Sequence, residues 1–274
     1  PMWLDADSRR LWVVNPDNDS VAVLDADTHS VLNVYDLSSY GQFTTVDPRS
    51  VAVDAHNQVW ITAHDDDAIY ILNANSGALV EVLETGYGSA PAHVIASPNG
   101  NTVFVSLTAG GSTNPSNGQV YRFSAADRVL TGTLELGPYA RAMAMTSNRL
   151  FVSRFISGAS FGEIWEANVQ GALSLTRTLP LYPDRGPDES NLGRGLPNYI
   201  AGLAITPAGD ELWYTGTQVN ENRGELFSGA ATHDNTVRAM VGIIDLSTNA
   251  ETNVDVLFGE SYRIDVDNSD SPTA

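Results

Sequence analysis

The chain has 274 residues, 42% of them apolar and 8% aromatic, with no cysteine and a formal net charge of −19. That apolar content can fill a sizeable interior, which excludes disorder as the state of the whole chain. All fourteen bases are arginine, scattered from Arg9 to Arg263, so there is no basic face for a polyanion and nucleic acid is excluded as a partner. Without lysine there is no Schiff-base chemistry, and without cysteine no thiolate nucleophile, disulfide, Cys-ligated zinc or covalently attached haem within these residues. No run approaches the roughly 18 apolar residues of a membrane helix, so no membrane span is expected. Aspartate outnumbers glutamate twenty-two to eleven, which favours turns and suits a hydrated acidic surface in a salty or extracellular setting.

Taken in chain order, the sequence repeats. Units open at Pro1, Pro48, Pro91, Ala140 and Ile200, spaced 47, 43, 49 and 60 residues apart, near the period of a four-stranded propeller blade. Each begins with a small apolar strand such as Ser50 to Val53. A tight Asp/Asn/Gly turn follows, as at 54–57 and 98–101. The second strand carries Trp12, Trp60, Phe104, Phe151 or Trp213 at matching positions, read as packing anchors between blades. The third is expected to end at Asp25, Asn73, Ser124, Asn168 or Asp245, before a more polar outer strand. Nothing of helical period intervenes. The fold expected is therefore all-β, a single β-propeller domain over 1–274 with blades at about 1–47, 48–90, 91–139, 140–199 and 200–270. Residues 271–274 read as the start of a further strand, as in a larger ring of about seven blades.

The segment LWVVNPDNDSVAVLDADTHSVL resembles the YVTN type of propeller repeat. The stretches LGRGLPNYIAGLAITPAGDELWYTGT and ENRGELFSGAATHDNTVRAMVGIIDLST are similar to exported bacterial propellers often joined to a cytochrome c-like or di-haem peroxidase-like module. The resemblance implies a secreted, periplasmic or cell-surface protein and a protein partner or appended cytochrome-like module. Any haem would lie outside this chain.

Propeller topology gathers the links between second and third strands, and those from outer to next inner strand, on one face. The long insertions 108–118, 156–161, 180–199 and 218–238 all belong there, and long loops on one rim of a rigid scaffold carry recognition. The ligand- or partner-binding candidates are Arg154, Asp184, Arg185, Asp188, Arg194, Asn198, Tyr199, Arg223, His233, Asp234 and Arg238, whose arginine forks suit carboxylate or phosphate. The same arginines could instead pair with neighbouring acids to order the loops. For metal, Asp265, Asp267, Ser269 and Asp270 place oxygens at alternate positions as a calcium loop does, and 17–19 and 65–67 offer carboxylates in turns. None fits an EF-hand.

No catalytic residue is assigned. Gly158-Ala159-Ser160-Phe161-Gly162 matches Gly-x-Ser-x-Gly but is expected to join two strands, without the strand-to-helix turn that exposes a nucleophilic serine. The functional expectation is a binding or scaffold propeller whose loop-rich face engages a partner. The alternative is a metal- or cofactor-dependent propeller enzyme, a lactonase-like hydrolase or dehydrogenase subunit, drawing on His64, His93, Arg154, Arg194, His233 and Asp234.

Overall fold

The computed structural model describes residues 1–41, 45–111, 116–184, 195–220, 237–252, 254–255, 260–261 and 263–265. The chain divides into two compact units, Pro1–Arg141 with Val169–Ser174, and Ala142–Asn168 with Leu175–Ala274. Both are built from four-stranded antiparallel sheets whose strands pair in chain order, and the protein is an all-β protein of β-propeller blades.

The first sheet is β1 (Met2–Asp5), β2 (Arg10–Asn15), β3 (Ser20–Asp25) and β4 (Val31–Asp36). The second is β5 (Pro48–Val53), β6 (Gln58–Ala63), β7 (Ala68–Asn73) and β8 (Leu79–Glu84). The third is β9 (Pro91–Ala96), β10 (Thr102–Leu107), β11 (Gln119–Ser124) and β12 (Leu130–Glu135). β13 (Ala140–Met145), β14 (Arg149–Arg154), β15 (Gly162–Asn168) and β16 (Ser174–Leu181) form the fourth. The fifth is β17 (Leu196–Ile205), β18 (Glu211–Val219), β19 (Val237–Asp245) and β20 (Ala250–Glu251). A short pair, β21 (Val254–Asp255) with β22 (Glu260–Ser261), follows, and β23 (Ile264–Asp265) pairs with β19.

All five third strands end at the expected residues. Three of those ends have a side-chain cause. The Oδ1 atoms of Asp25, Asn73 and Asp245 accept backbone N–H groups two and three residues on, at 2.7–3.1 Å, which turns the chain out of the ladder.

Apolar side chains on both faces of a strand demand cover on both faces. β6 is buried at all six positions. Its Ile61 packs in a layer with Trp12, Val21, Val51 and Tyr70, whereas Trp60 lies in another with Ile71, Val94, Val105 and Phe123. In the second unit the layer is Phe151, Ile164, Leu179, Leu212, Tyr214 and Met240. Trp12, Trp60, Phe104 and Phe151 are buried as expected of anchors, but Trp213 is 38% exposed and its Nε1 donates to Glu211 at 2.8 Å. Tyr214 is the buried aromatic there, its ring over Gly242, where a Cβ would lie 2.1 Å from it.

Two polar devices join consecutive sheets. The first residue of a second strand donates to a turn carbonyl of the next sheet: Arg10 to Ala74 at 2.9 Å, Gln58 to Ala125 at 2.9 Å and Arg149 to Leu246 at 3.0 Å. The other uses a left-handed aspartate before a third strand. Asp19 (φ 42°) accepts the N–H groups of Val46 and Asp47 at 3.0 and 2.8 Å, and Asp67 (φ 51°) those of Gly88 and Ala90 at 2.6 and 2.8 Å. These carboxylates, considered above as turn donors for calcium, thus fasten the link to the next sheet, and Asp66 accepts the Tyr70 hydroxyl.

Although Trp60 and Trp213 share a repeat position, their burial predicts opposite outcomes. Trp60→Ala should cost about 3–5 kcal/mol in urea unfolding of the full chain, whereas Trp213→Ala should stay within about 1 kcal/mol.

Candidate functional site

In the first unit, the strand ends from which the long links leave bring charged side chains together. The register shifts at Pro48/Ser50 between β5 and β6, so that Arg49 is an extra residue bulged out of the ladder. Ser50 Oγ accepts from Val94 N at 3.2 Å, and Ser106 Oγ donates to the Arg141 carbonyl at 2.5 Å, which ties the starts of β5, β9 and β13 into one neighbourhood. The residue before each of these strands is left-handed and not glycine: Asp47 (φ 48°), Ala90 (φ 48°) and Tyr139 (φ 65°). Such backbone costs on the order of 1 kcal/mol per residue and is held by its surroundings.

Asp47 Oδ2 accepts from Arg49 Nε at 2.7 Å and lies 3.4 Å from His64 Nδ1, which in turn lies 2.9 Å from Asp65 Oδ1. The His64 hydrogen bond, helped by Thr45, holds Asp65 below the usual carboxylate range against its partial burial. Burial, with repulsion from Arg49, lowers the Arg141 guanidinium from its ordinary value, and Asp47 opposes the shift. His93, on β9, is pushed down to about 4, by burial first and also by Arg141. The neighbourhood thus presents two carboxylates, two guanidinium groups and two imidazoles, of which His93 is held neutral. Asp47, His64 and Asp65 offer donor atoms within 4.8 Å of one another, a set that suits a divalent cation, although Arg49 and Thr45 already hydrogen-bond its carboxylates.

In the second unit the candidates order the links themselves. Arg154 Nε donates to the Ile156 carbonyl at 2.9 Å and its guanidinium pairs with Glu163, which fixes both ends of the 156–161 link. Asn198 Oδ1 accepts the Ser157 N–H at 2.8 Å. Asp184 forms a backbone bridge to Gly195, and its carboxylate lies 3.5 Å from Gln218 Nε2. Arg238 is buried and stands opposite Gln218 in the β18–β19 register. Tyr199 differs. It is left-handed (φ 47°), 44% exposed, and rests on Phe155 at 5.3 Å between ring centroids.

Arg185, Asp188, Arg194, Arg223, His233, Asp234, Asp267, Ser269 and Asp270 lie outside the described residues, and Asp265 is placed only as a β23 position opposite Met240. Ser160 is exposed in the link between β14 and β15, two strands, so no strand-to-helix elbow presents it. The sequence reading missed Asp47, Arg49 and Arg141. The signal was available for the arginines, since each is the second residue of a repeat unit, beginning at Pro48 or Ala140.

No family model matches the chain, and no curated protein does. Solved structures do. Hydrazine synthase of Kuenenia stuttgartiensis is 14% identical, with a TM-score of 0.71 over 92% of this chain and 66% of that one. A Lactobacillus plantarum protein is 17% identical, with a TM-score of 0.59 over 92% and 68%. A Bacteroides uniformis protein proposed to be a 6-phosphogluconolactonase is 15% identical, with a TM-score of 0.58 over 91% and 67%. At these identities the likeness shows the β-propeller fold alone, and the chain spans about two thirds of each neighbour's length. Among the described residues no helix is long and apolar enough to cross a membrane.

The displaced imidazole makes stability pH-dependent. Unfolded, His93 titrates near 6.5, and folded at about 4, so between these values the unfolded chain binds the extra proton. Its contribution is complete above pH 6.5 and is lost as pH falls toward 4, by on the order of 1–3 kcal/mol. Urea midpoints across that window should slope for the parent chain and flatten for His93→Gln.

Proposed function

We propose that the chain is an exported binding or scaffold propeller, secreted, periplasmic or at the cell surface, whose loop-bearing strand ends engage a protein partner. The partner class favoured by the sequence resemblance is a cytochrome c-like or di-haem peroxidase-like module, which would carry its own haem. The observation behind this reading is the gathering of Asp47, Arg49, His64 and Arg141 at the strand ends from which the long links leave in one unit, with the exposed Tyr199 ring at the corresponding end in the other. Charged side chains gathered beside long links at one kind of strand end are what a recognition surface on a rigid scaffold displays. The opposite turns are short and closed by their own hydrogen bonds, as where Asp54 Oδ1 accepts the N–H groups of His56 and Gln58.

A second reading is favoured by Asp47, His64 and Asp65, whose donors suit a divalent cation and so a lactonase-like hydrolase. The name given to the Bacteroides uniformis neighbour points the same way. Lactone hydrolysis that requires added calcium or zinc and disappears in Asp65→Asn would place this reading first.

Photo-crosslinking separates recognition at the two strand ends. A benzophenone side chain at exposed Tyr87 or Tyr199 should give a discrete adduct in cells that export the protein, and one at exposed His56 or Asn99, on opposite turns, should give none. Adducts from the second pair alone would reject the proposal.

A further inference from the structure

Within the second unit, at the turn end of the sheets and away from the long links, a cavity of about 430 Å³ opens between the charged side chains Arg149, Glu166 and Arg177 and the amides of Asn148, Asn168 and Asn249. Glu166 is distinguished there by its burial. It stands opposite Phe151 in the β14–β15 register, where the first, second and fifth sheets place Val23, Ile71 and Ile243 opposite their aromatic residues and the third places a half-buried Arg122 opposite Phe104. Its side chain is 5% exposed. A buried carboxylate in an apolar register position costs stability against a well-packed aliphatic residue, and departures of this kind gather where a protein does something besides fold.

Two guanidinium groups serve this one carboxylate. Arg149 donates to both Glu166 oxygens, from Nε at 2.9 Å and from a terminal nitrogen at 3.0 Å, and also holds the Leu246 carbonyl and Asn249. Arg177 adds an ion pair, its Nε 3.0 Å from Glu166 Oε2, while remaining 45% exposed. The charged lining therefore carries one net positive charge, with Arg177 able to turn a donor toward the opening. Around it the amides and the Thr176 hydroxyl can each donate and accept, as hydroxyl groups require. The volume falls at the small end of ligand cavities, enough for a molecule of about one sugar ring.

We infer that this cavity binds a small hydroxylated monocarboxylate of the aldonate or uronate kind, its carboxylate on Arg177 and its hydroxyls on the surrounding amides. This does not rest on the loop-end reading. The full chain would be titrated with galacturonate and gluconate by calorimetry and saturation-transfer NMR, with neutral galactose and acetate as controls. Saturable binding of an acid is expected, with both controls much weaker. Arg177→Met should weaken it roughly ten- to a hundredfold. That variant leaves Glu166 paired with Arg149, so the fold should persist. Thr176→Trp, which fills the opening without changing charge, should abolish binding and decides the matter if Arg177→Met is unstable. Absence of saturable binding, equal binding of galactose or acetate, or binding untouched by both variants would overturn the inference.

Discussion

A four-stranded sheet with apolar side chains on both faces has no stable existence in water, so the governing constraint is the contact between one sheet and the next. Burial supplies its energy, but burial is non-directional and would tolerate sliding. The bonds from Arg10, Gln58 and Arg149 to the turn carbonyls at Ala74, Ala125 and Leu246 supply direction. Each acceptor is itself fixed, because the same turn residue donates its N–H to a carbonyl of its own sheet, Ala74 to Asn57 at 2.8 Å, Ala125 to Asn101 at 3.0 Å and Leu246 to Asp210 at 2.8 Å. A donor anchored on one sheet and an acceptor anchored on the next set the stagger between blades.

In the first two sheets one end is committed to these ties and the opposite end is capped by Asp19 or Asp67, so the remaining freedom there lies in the links beyond the caps. In the third and fourth sheets the 108–118 and 156–161 connections differ in length while the strands they join keep their pairing. Arg154 shows how such a link is made part of the scaffold: the Ile156 carbonyl and Glu163, at its two ends, are gathered on one guanidinium. Arg154 is thus a clamp on its link, whereas Tyr199, resting on Phe155, keeps an exposed ring.

Strand boundaries were legible because they are local. Asp25, Asn73 and Asp245 terminate their strands through their own side chains, and the aromatic is the third residue of every second strand. Trp213 misleads because burial depends on what packs against a residue, which a matching repeat position does not supply. Asp47 and His64 belong to different strand ends and meet only because β5 and β6 pair. Glu166 reads as an ordinary acid in an acidic chain until register places it opposite Phe151, after which its burial becomes the anomaly that exposes a cavity.

The absence of lysine becomes intelligible from the same contacts. Arg10, Arg122, Arg128, Arg149 and Arg154 each bond a main-chain carbonyl or a side-chain oxygen while partly buried or folded against the sheet, and several hold two acceptors in different directions. A planar fork can do this with little further loss of freedom, whereas an ammonium on a flexible stem cannot. Positive charge is thereby drawn into clefts, and the surface is left to aspartate. The far field is that of a chain carrying −19, yet the two guanidinium groups around Glu166 leave the charged lining of that cavity with one net positive charge. Such a distribution selects by size. A compact monoanion can place all its charge within one cleft, where desolvation strengthens the attraction, while a long polyanion would leave most of its charge in the repulsive outer field. The composition that excludes nucleic acid is thus compatible with binding a small acid, and salt, which screens the distant repulsion more than the close contact, should favour such binding more than it opposes it.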